Sequence, residues 1–263
     1  RNKLYTALSV GGEGTDRQLL QFRVTSLTAP CFLLPLAVSV HSIVSFDFAV
    51  SVIPGWHTTI FPPYFVAGAV YAGFAMVLTL GIPMRAMFNL KDFITMRHID
   101  NMAKVMLATG LFVAYGYGIE AFTSLVYAAN PYEDFMMTNR MFGPYGWAYW
   151  MLVLTNLAIP QLLWFRRWRR SIGMLFFISM SINIGMWLER FVIVVVSLHR
   201  DYVPGSWGMY YPTIWDIGLF IGTLGFFLFM MVLFVHGLPA ISISEIRHLL
   251  CEKKHEEKHR HEE

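Results

Sequence analysis

Long apolar runs separated by short polar clusters dominate the chain. Six segments, 24–53, 63–88, 99–128, 145–165, 171–198 and 213–239, are apolar over enough residues to cross a bilayer. Crossing about 30 Å of hydrocarbon takes roughly 20 helical residues. The joining loops are short, so neighbouring helices are expected to pack antiparallel. The pattern predicts an all-α, polytopic transmembrane helical bundle of six spans at 24–239. A polar arm at 1–23 precedes it and a charged tail at 240–263 follows. Pro83 and Pro160 are expected to bend or end their helices. Gly110, Ala114 and Gly118 on the third span, and Gly218 and Gly222 on the sixth, recur at the spacing of close helix packing.

Composition agrees. The 263 residues are 56% hydrophobic and 14% charged, where soluble domains carry roughly 25% charged residues. The placement of charge is more informative than its net value of +3. All but three of the 20 Lys and Arg residues lie in the arm, the loop 85–104, the RRWRR loop and the tail. The exceptions are Arg140, Arg190 and Arg200. Positive-inside orientation then puts both termini in the cytoplasm, and the loops at 54–62, 129–144 and 199–212 outside. Those outer loops hold Trp56, Trp207 and several tyrosines, and Trp147 borders one of them, as interfacial belts do. The chain opens on Arg1 with a polar, glycine-containing stretch, which reads as an internal loop and predicts the C-terminal part of a longer chain with earlier helices.

Two cysteines, Cys31 and Cys251, stand far apart, and no motif for a covalent haem or an iron–sulfur cluster exists. His41 and His236 are predicted at different depths and make a poor pair of axial haem ligands. His255, His259 and His261 read as part of a solvated tail, so no metal site is expected.

Candidate chemistry lies inside the apolar segments, where ionisable side chains are costly and mark functional sites. The first span carries His41, Ser42, Ser45 and Asp47 before breaking at Pro54-Gly55. His57 follows in the loop. Six residues separate His41 from Asp47, about 9 Å of rise and about 120° of rotation. The two share no helix face, whereas His41 and Ser45 do. Oxidising a quinol releases two electrons and two protons, and its ring hydroxyls need acceptors such as Asp or His. Asp47 and His41 suit such a step as catalytic residues, with Ser45 and His57 as further contacts to quinol. Asp47 would equally serve as a structural cap and His41 as a helix–helix hydrogen bonder. Glu120, Glu189, Arg190 and Asp216, with Tyr115, would form a proton path or a static polar network. Glu189 and Arg190 are adjacent, so each needs a partner from another helix. Asp216 also gains from the dipole of the helix it opens.

The stretch SVHSIVSFDFAVSVIPGWHTTIFPPYFVAGAVYAGFAMVLTLGIPMR resembles the NrfD/PsrC-like membrane subunits of bacterial alternative complex III. The likeness continues through YGIEAFTSLVYAANPYE, GPYGWAYWMLVLTN and WLERFVIVVVSLHRDYVPGSWGMYYPT. The resemblance implies a ten-helix subunit of a quinol:electron-acceptor oxidoreductase in the bacterial inner membrane. Six spans here would be its C-terminal part. It implies a quinol site toward the periplasm at or near Asp47 and His41, with menaquinol or ubiquinol as substrate and no redox centre in the chain. Expected partners are membrane lipid, an iron–sulfur subunit, multihaem cytochrome c subunits, a paralogous NrfD-like subunit and a terminal oxidase. No nucleic-acid partner is expected. The complex holds two such paralogues, ActC and ActF. ActC is implied to carry the quinol site, and ActF to act as scaffold or proton conduit. A stand-alone transporter is the remaining class, and the chain lacks the paired broken helices that favour it.

Overall fold

The computed structural model describes residues 15–127 and 131–237. The tail histidines and Cys251 lie outside them. Every described regular element is helical: α1 Asp16–Ala49, α2 Phe61–Met87, α3 Met96–Phe122, α4 Pro131–Phe142, α5 Gly146–Val153, α6 Arg166–Arg169, α7 Ile172–Phe191 and α8 Ile214–Gly237. Three of them continue into π-helix: α3 through Thr123–Tyr127, α5 through Leu154–Ala158 and α7 through Val192–Val196. Contacts divide the chain into two compact units, Leu33–Tyr210 in one, Arg1–Phe32 with Tyr211–Glu263 in the other.

Five described helices are long and apolar enough to cross a membrane: α1, α2, α3 with its π continuation, α7 with its own, and α8. The predicted span 145–165 is not among them. It is helical over 146–164 but passes from α through π to a 3₁₀ stretch, Ile159–Trp164. Pro160 supplies a cause. A proline has no N–H to give to the carbonyl four residues back, and its ring crowds that carbonyl. The carbonyl so released is that of Asn156, and the Tyr71 hydroxyl donates to it at 3.2 Å. The outer loop 129–144 also differs from its expectation. Pro131 to Phe142 form a short helix whose inner side buries Met136, Met137, Asn139 and Arg140.

Within the Leu33–Tyr210 unit, α2 lies at the centre, packed against α3 and α7, and α5 packs on α7. The seam is filled by Tyr71, Ala75, Leu78, Met106, Val113, Ile178 and Ile182, all buried. Lipid tails are as apolar as these side chains, so the seam gains chiefly from close contact rather than from expelling water. Glycines permit that contact. A Cβ at Gly110 would stand 2.9 Å from the Tyr71 ring, and one at Gly116 would stand 2.6 Å from the Tyr64 ring. Gly118, expected on the same packing face, meets nothing within 4 Å. The tyrosines of α2 therefore choose Gly110 and Gly116 as their seats on α3.

The break after α1 is held from three directions. Gly55 adopts φ of 82°, a left-handed conformation that side chains resist. Phe48 packs edge-on to Trp56 with centroids 4.8 Å apart and stacks on Phe61 at 5.6 Å. The Trp56 indole N–H donates at 2.6 Å to the carbonyl of Ile193 inside the π segment of α7. The Tyr202 hydroxyl donates at 2.6 Å to the carbonyl of Val52. At the opposite end of the bundle Asp100 bridges Lys104 at 2.7 Å and Arg169 at 3.0 Å, fastening the start of α3 to α6.

Adding one methyl at Gly116 drives into the Tyr64 ring, and overpacking of this kind costs about 1–3 kcal/mol. Gly116→Ala is expected to lower the thermal unfolding midpoint in detergent, while Gly118→Ala leaves it within the small range of surface changes. A thermal melt of the two variants side by side checks this.

Candidate functional site

Two polar clusters lie at the end of the bundle where α2 starts and α3 and α7 finish. Glu189, near the end of α7, is 5% exposed. One of its carboxyl oxygens accepts a hydrogen bond from the Tyr64 hydroxyl, and the other accepts from the Tyr117 hydroxyl at 2.8 Å. Tyr117 in turn accepts from the Asn156 amide at 3.1 Å. That amide also reaches the Met186 sulfur at 3.4 Å. Asn156 sits in the π segment of α5, so four helical elements contribute one polar group each. The bonds run in one direction, amide to phenol to carboxyl, and each polarises the next. A carboxyl so placed can accept, hold and release a proton inside an apolar bundle.

A second cluster lies closer to the loops. Arg140 of α4 is 3% exposed. It donates to Glu120 at 2.6 Å, to the Gly55 carbonyl at 3.1 Å and to the Ser197 hydroxyl at 3.0 Å. One guanidinium thus ties the loop after α1 to α3 and to the end of α7. His199, two residues after Ser197, is also buried. Its Nδ1 lies 2.8 Å from the Val196 carbonyl, and the Tyr145 ring meets it edge-on at 5.0 Å. Burial holds its imidazole below the usual histidine range, with the Arg200 charge adding to that.

Two cavities flank the Ile60–Pro63 segment. One, of about 640 Å³, is apolar and is bounded by Tyr64, Leu111, Phe112 and Tyr115 among others. The other, of about 450 Å³, has a mixed lining, more polar than the first, that includes His57, Thr58, Glu120 and Glu133. A smaller cavity of about 250 Å³ lies where the end of α1, at Phe46 and Val50, faces His57 and Pro62.

The sequence candidates are distributed unevenly over this geometry. Glu189 finds its partners on other helices, as its position required. Arg190 does not; it is exposed and donates back to the Met186 carbonyl of its own helix at 3.2 Å. Glu120 pairs with Arg140. Tyr115 is 61% exposed and stands apart from the Glu189 cluster. Two helical steps, about 200°, turn it away from the face that carries Tyr117. Asp216 closes a reciprocal cap at the start of α8. Thr213 donates to its carboxylate from the backbone N–H at 2.8 Å and from the hydroxyl at 2.7 Å. On α1, His41 Nδ1 lies 2.7 Å from the Ala37 carbonyl, and the buried Ser45 hydroxyl donates to the Ser42 carbonyl at 2.7 Å. Asp47 is exposed on the same helix, and His57 is exposed in the loop. Among the described residues no three His, Cys, Asp or Glu side chains come together as a metal site would require.

Tyr64 and Asn156 escaped sequence reasoning. Asn156 had a signal: an amide inside an apolar run, four residues before a proline. Tyr64 had a weaker one, as a tyrosine seven residues before Tyr71 on a span that otherwise carries few polar groups.

No curated protein sequence is similar enough to count as a match. Residues 17–200 match the family model described as polysulphide reductase, NrfD. That stretch covers most of the chain and includes the Glu189 cluster, the Arg140 clamp and the helix carrying His41 and Asp47, and the chain belongs to the NrfD family of membrane proteins.

Proposed function

We propose that the chain is a membrane subunit of a respiratory quinol:electron-acceptor oxidoreductase of the alternative complex III kind, in the place of ActC. What carries this reading is an enclosed carboxyl with two phenol partners, Glu189 with Tyr64 and Tyr117, in a chain of the NrfD family. Such a group suits a protein that must handle protons inside a bilayer. The quinol would dock toward the outer end of α1, with Asp47 and His41 taking the two ring protons and Ser45 and His57 bounding the ring. His41 fits an acceptor role. Its Nδ1 is occupied by the Ala37 carbonyl, which leaves Nε2 for a ring hydroxyl. The two electrons leave to an iron–sulfur partner and onward to multihaem cytochrome c, since the reaction needs an acceptor outside this chain. Protons released on the side away from the basic loops would add to the gradient across an inner membrane. Glu189, with Glu120 on the way to the surface, would serve a proton path.

A second reading has one observation in its favour. Asp47 is exposed on α1, whereas the enclosed acid is Glu189. A paralogue in the place of ActF, acting as scaffold and proton conduit, would need Glu189 but not Asp47.

The two readings separate by mutation in the assembled complex. Under the first, Asp47→Asn lowers quinol oxidation by about 100-fold or more, the range for loss of a positioned base, with assembly unchanged on a native gel. Normal turnover in that variant removes Asp47 from the chemistry and favours the paralogue. Glu189→Gln keeps shape but cannot cycle a proton. It is expected to change the proton-to-electron ratio measured in proteoliposomes under either reading. An unchanged ratio makes Glu189 a structural group. Tyr117→Phe removes one donor from the carboxyl and is expected to cost about 1–3 kcal/mol in thermal or denaturant stability.

A further inference from the structure

The two larger cavities lie end to end along one side of α3. Ala108, Leu111, Phe112, Tyr115 and Gly116 line the apolar one. Ile119, Glu120, Thr123 and Ser124 line the polar one. These positions recur every three or four residues, so they form one continuous stripe. From Ala108 to Ser124 the stripe is about 24 Å long at 1.5 Å per residue. Ile60 and Pro63 border both cavities and join them on the α2 side. The apolar part faces outward, since Leu111, Phe112 and Tyr115 are exposed on a membrane-spanning helix.

The groove therefore changes character along its length, from hydrocarbon in the span to hydroxyls and carboxylates at the loops. That gradient is the outline of a lipid, tail inward and head at the surface. Its polar end selects among heads. No lysine or arginine lines it among the described residues. The nearby guanidinium of Arg140 is buried and already committed to Glu120, Gly55 and Ser197. A head with net negative charge finds no fixed cation there, only the imidazole of His57. Glu120 is neutralised by Arg140, so Glu133 supplies the negative charge of the lining, and a cationic ammonium suits it. The hydroxyls of Thr58, Thr59 and Ser124 offer donors to a phosphate beside that ammonium.

We propose that the α3 groove binds a zwitterionic aminophospholipid, with its ammonium at Glu133, its phosphate on the threonine and serine hydroxyls, and one acyl chain along Phe112 and Tyr115. Asp47 and His41 do not line this groove, which meets the proposed quinol contacts only at His57. A lipid seated here would cover the outward side of Tyr64, whose ring borders the groove while its hydroxyl holds Glu189.

The test uses the full chain purified with its native partners and reconstituted into nanodiscs of equal phosphatidylethanolamine and phosphatidylglycerol. After re-extraction in mild detergent, retained lipid is counted by native mass spectrometry. Phosphatidylethanolamine is expected to be retained about tenfold over phosphatidylglycerol, the ratio for one charge-assisted contact. Glu133→Gln is expected to bring the two near parity. Ala108→Trp, at an exposed position, fills the tail end and is expected to abolish retention, with an unchanged thermal midpoint in detergent showing that the fold is kept. Equal retention of the two lipids by the unaltered protein overturns the proposal. So does undiminished retention in Ala108→Trp, or a quinone held in the groove in place of lipid.

Discussion

Burying one carboxyl group in an apolar bundle imposes the constraint around which the larger unit is arranged. Glu189 lies where water does not reach, and an isolated charge there would be costly. The fold answers with two phenols from two different helices. Each phenol then demands a seat. Tyr64 rests on Gly116, and Tyr117 accepts the amide of Asn156. Asn156 presents its side-chain amide from a stretch wound as π rather than α, and Pro160 four residues on leaves the Asn156 backbone carbonyl to the Tyr71 hydroxyl. A glycine on one helix, and an asparagine and a proline on another, thereby become conditions for one acid.

The same arrangement explains why the π segments fall where they do. Each lies at or just after a polar group with a partner on another element: Glu120 before Thr123–Tyr127, Glu189 before Val192–Val196, and Asn156 within Leu154–Ala158. Widening the helix by one residue per turn leaves carbonyls without their usual partners. Side chains from elsewhere take them, Tyr71 at Asn156 and Trp56 at Ile193. The irregular backbone and the long-range hydrogen bonds are thus two sides of one adjustment, and they converge on the end of the bundle that carries the candidate chemistry. Arg140 completes it by tying the loop after α1 to the ends of α3 and α7. Mobility of that loop would otherwise be expected at a break that holds Pro54, Gly55 and two threonines.

The candidates divide into an inner group and an outer group. The inner group is enclosed and linked by hydrogen bonds across four helical segments, with Asn156 Oδ1 and Arg140 Nε left unpartnered among the described residues, as fits storage or transfer of a proton. On the outer side, His41, Asp47 and His57 lie at the surface of the unit, where a lipid-soluble molecule or a partner chain can approach. A quinol-linked role in the NrfD family would use both, one for contact with the ring and one for the protons. The groove on α3 adds a third surface whose polarity follows that of the bilayer itself.

By itself the sequence determined that the chain is a helical membrane protein, because hydrocarbon thickness and the cost of bare peptide groups leave few alternatives for long apolar runs. It also determined that Glu189 must find a partner off its own helix, and that the chain is similar to NrfD subunits. Periodicity along one helix placed the residues on faces, and it separated His41 from Asp47 correctly. It did not determine which faces meet. Tyr115 and Tyr117 are two residues apart and chemically equal, yet only the packing of α3 against α2 and α7 decided that Tyr117 holds the acid and Tyr115 faces outward. Arg140, read as a charge in an outer loop, became a buried clamp only once a short helix folded its inner side onto the bundle. Those choices rest on contacts between residues far apart in the chain, and local pattern carries no record of them.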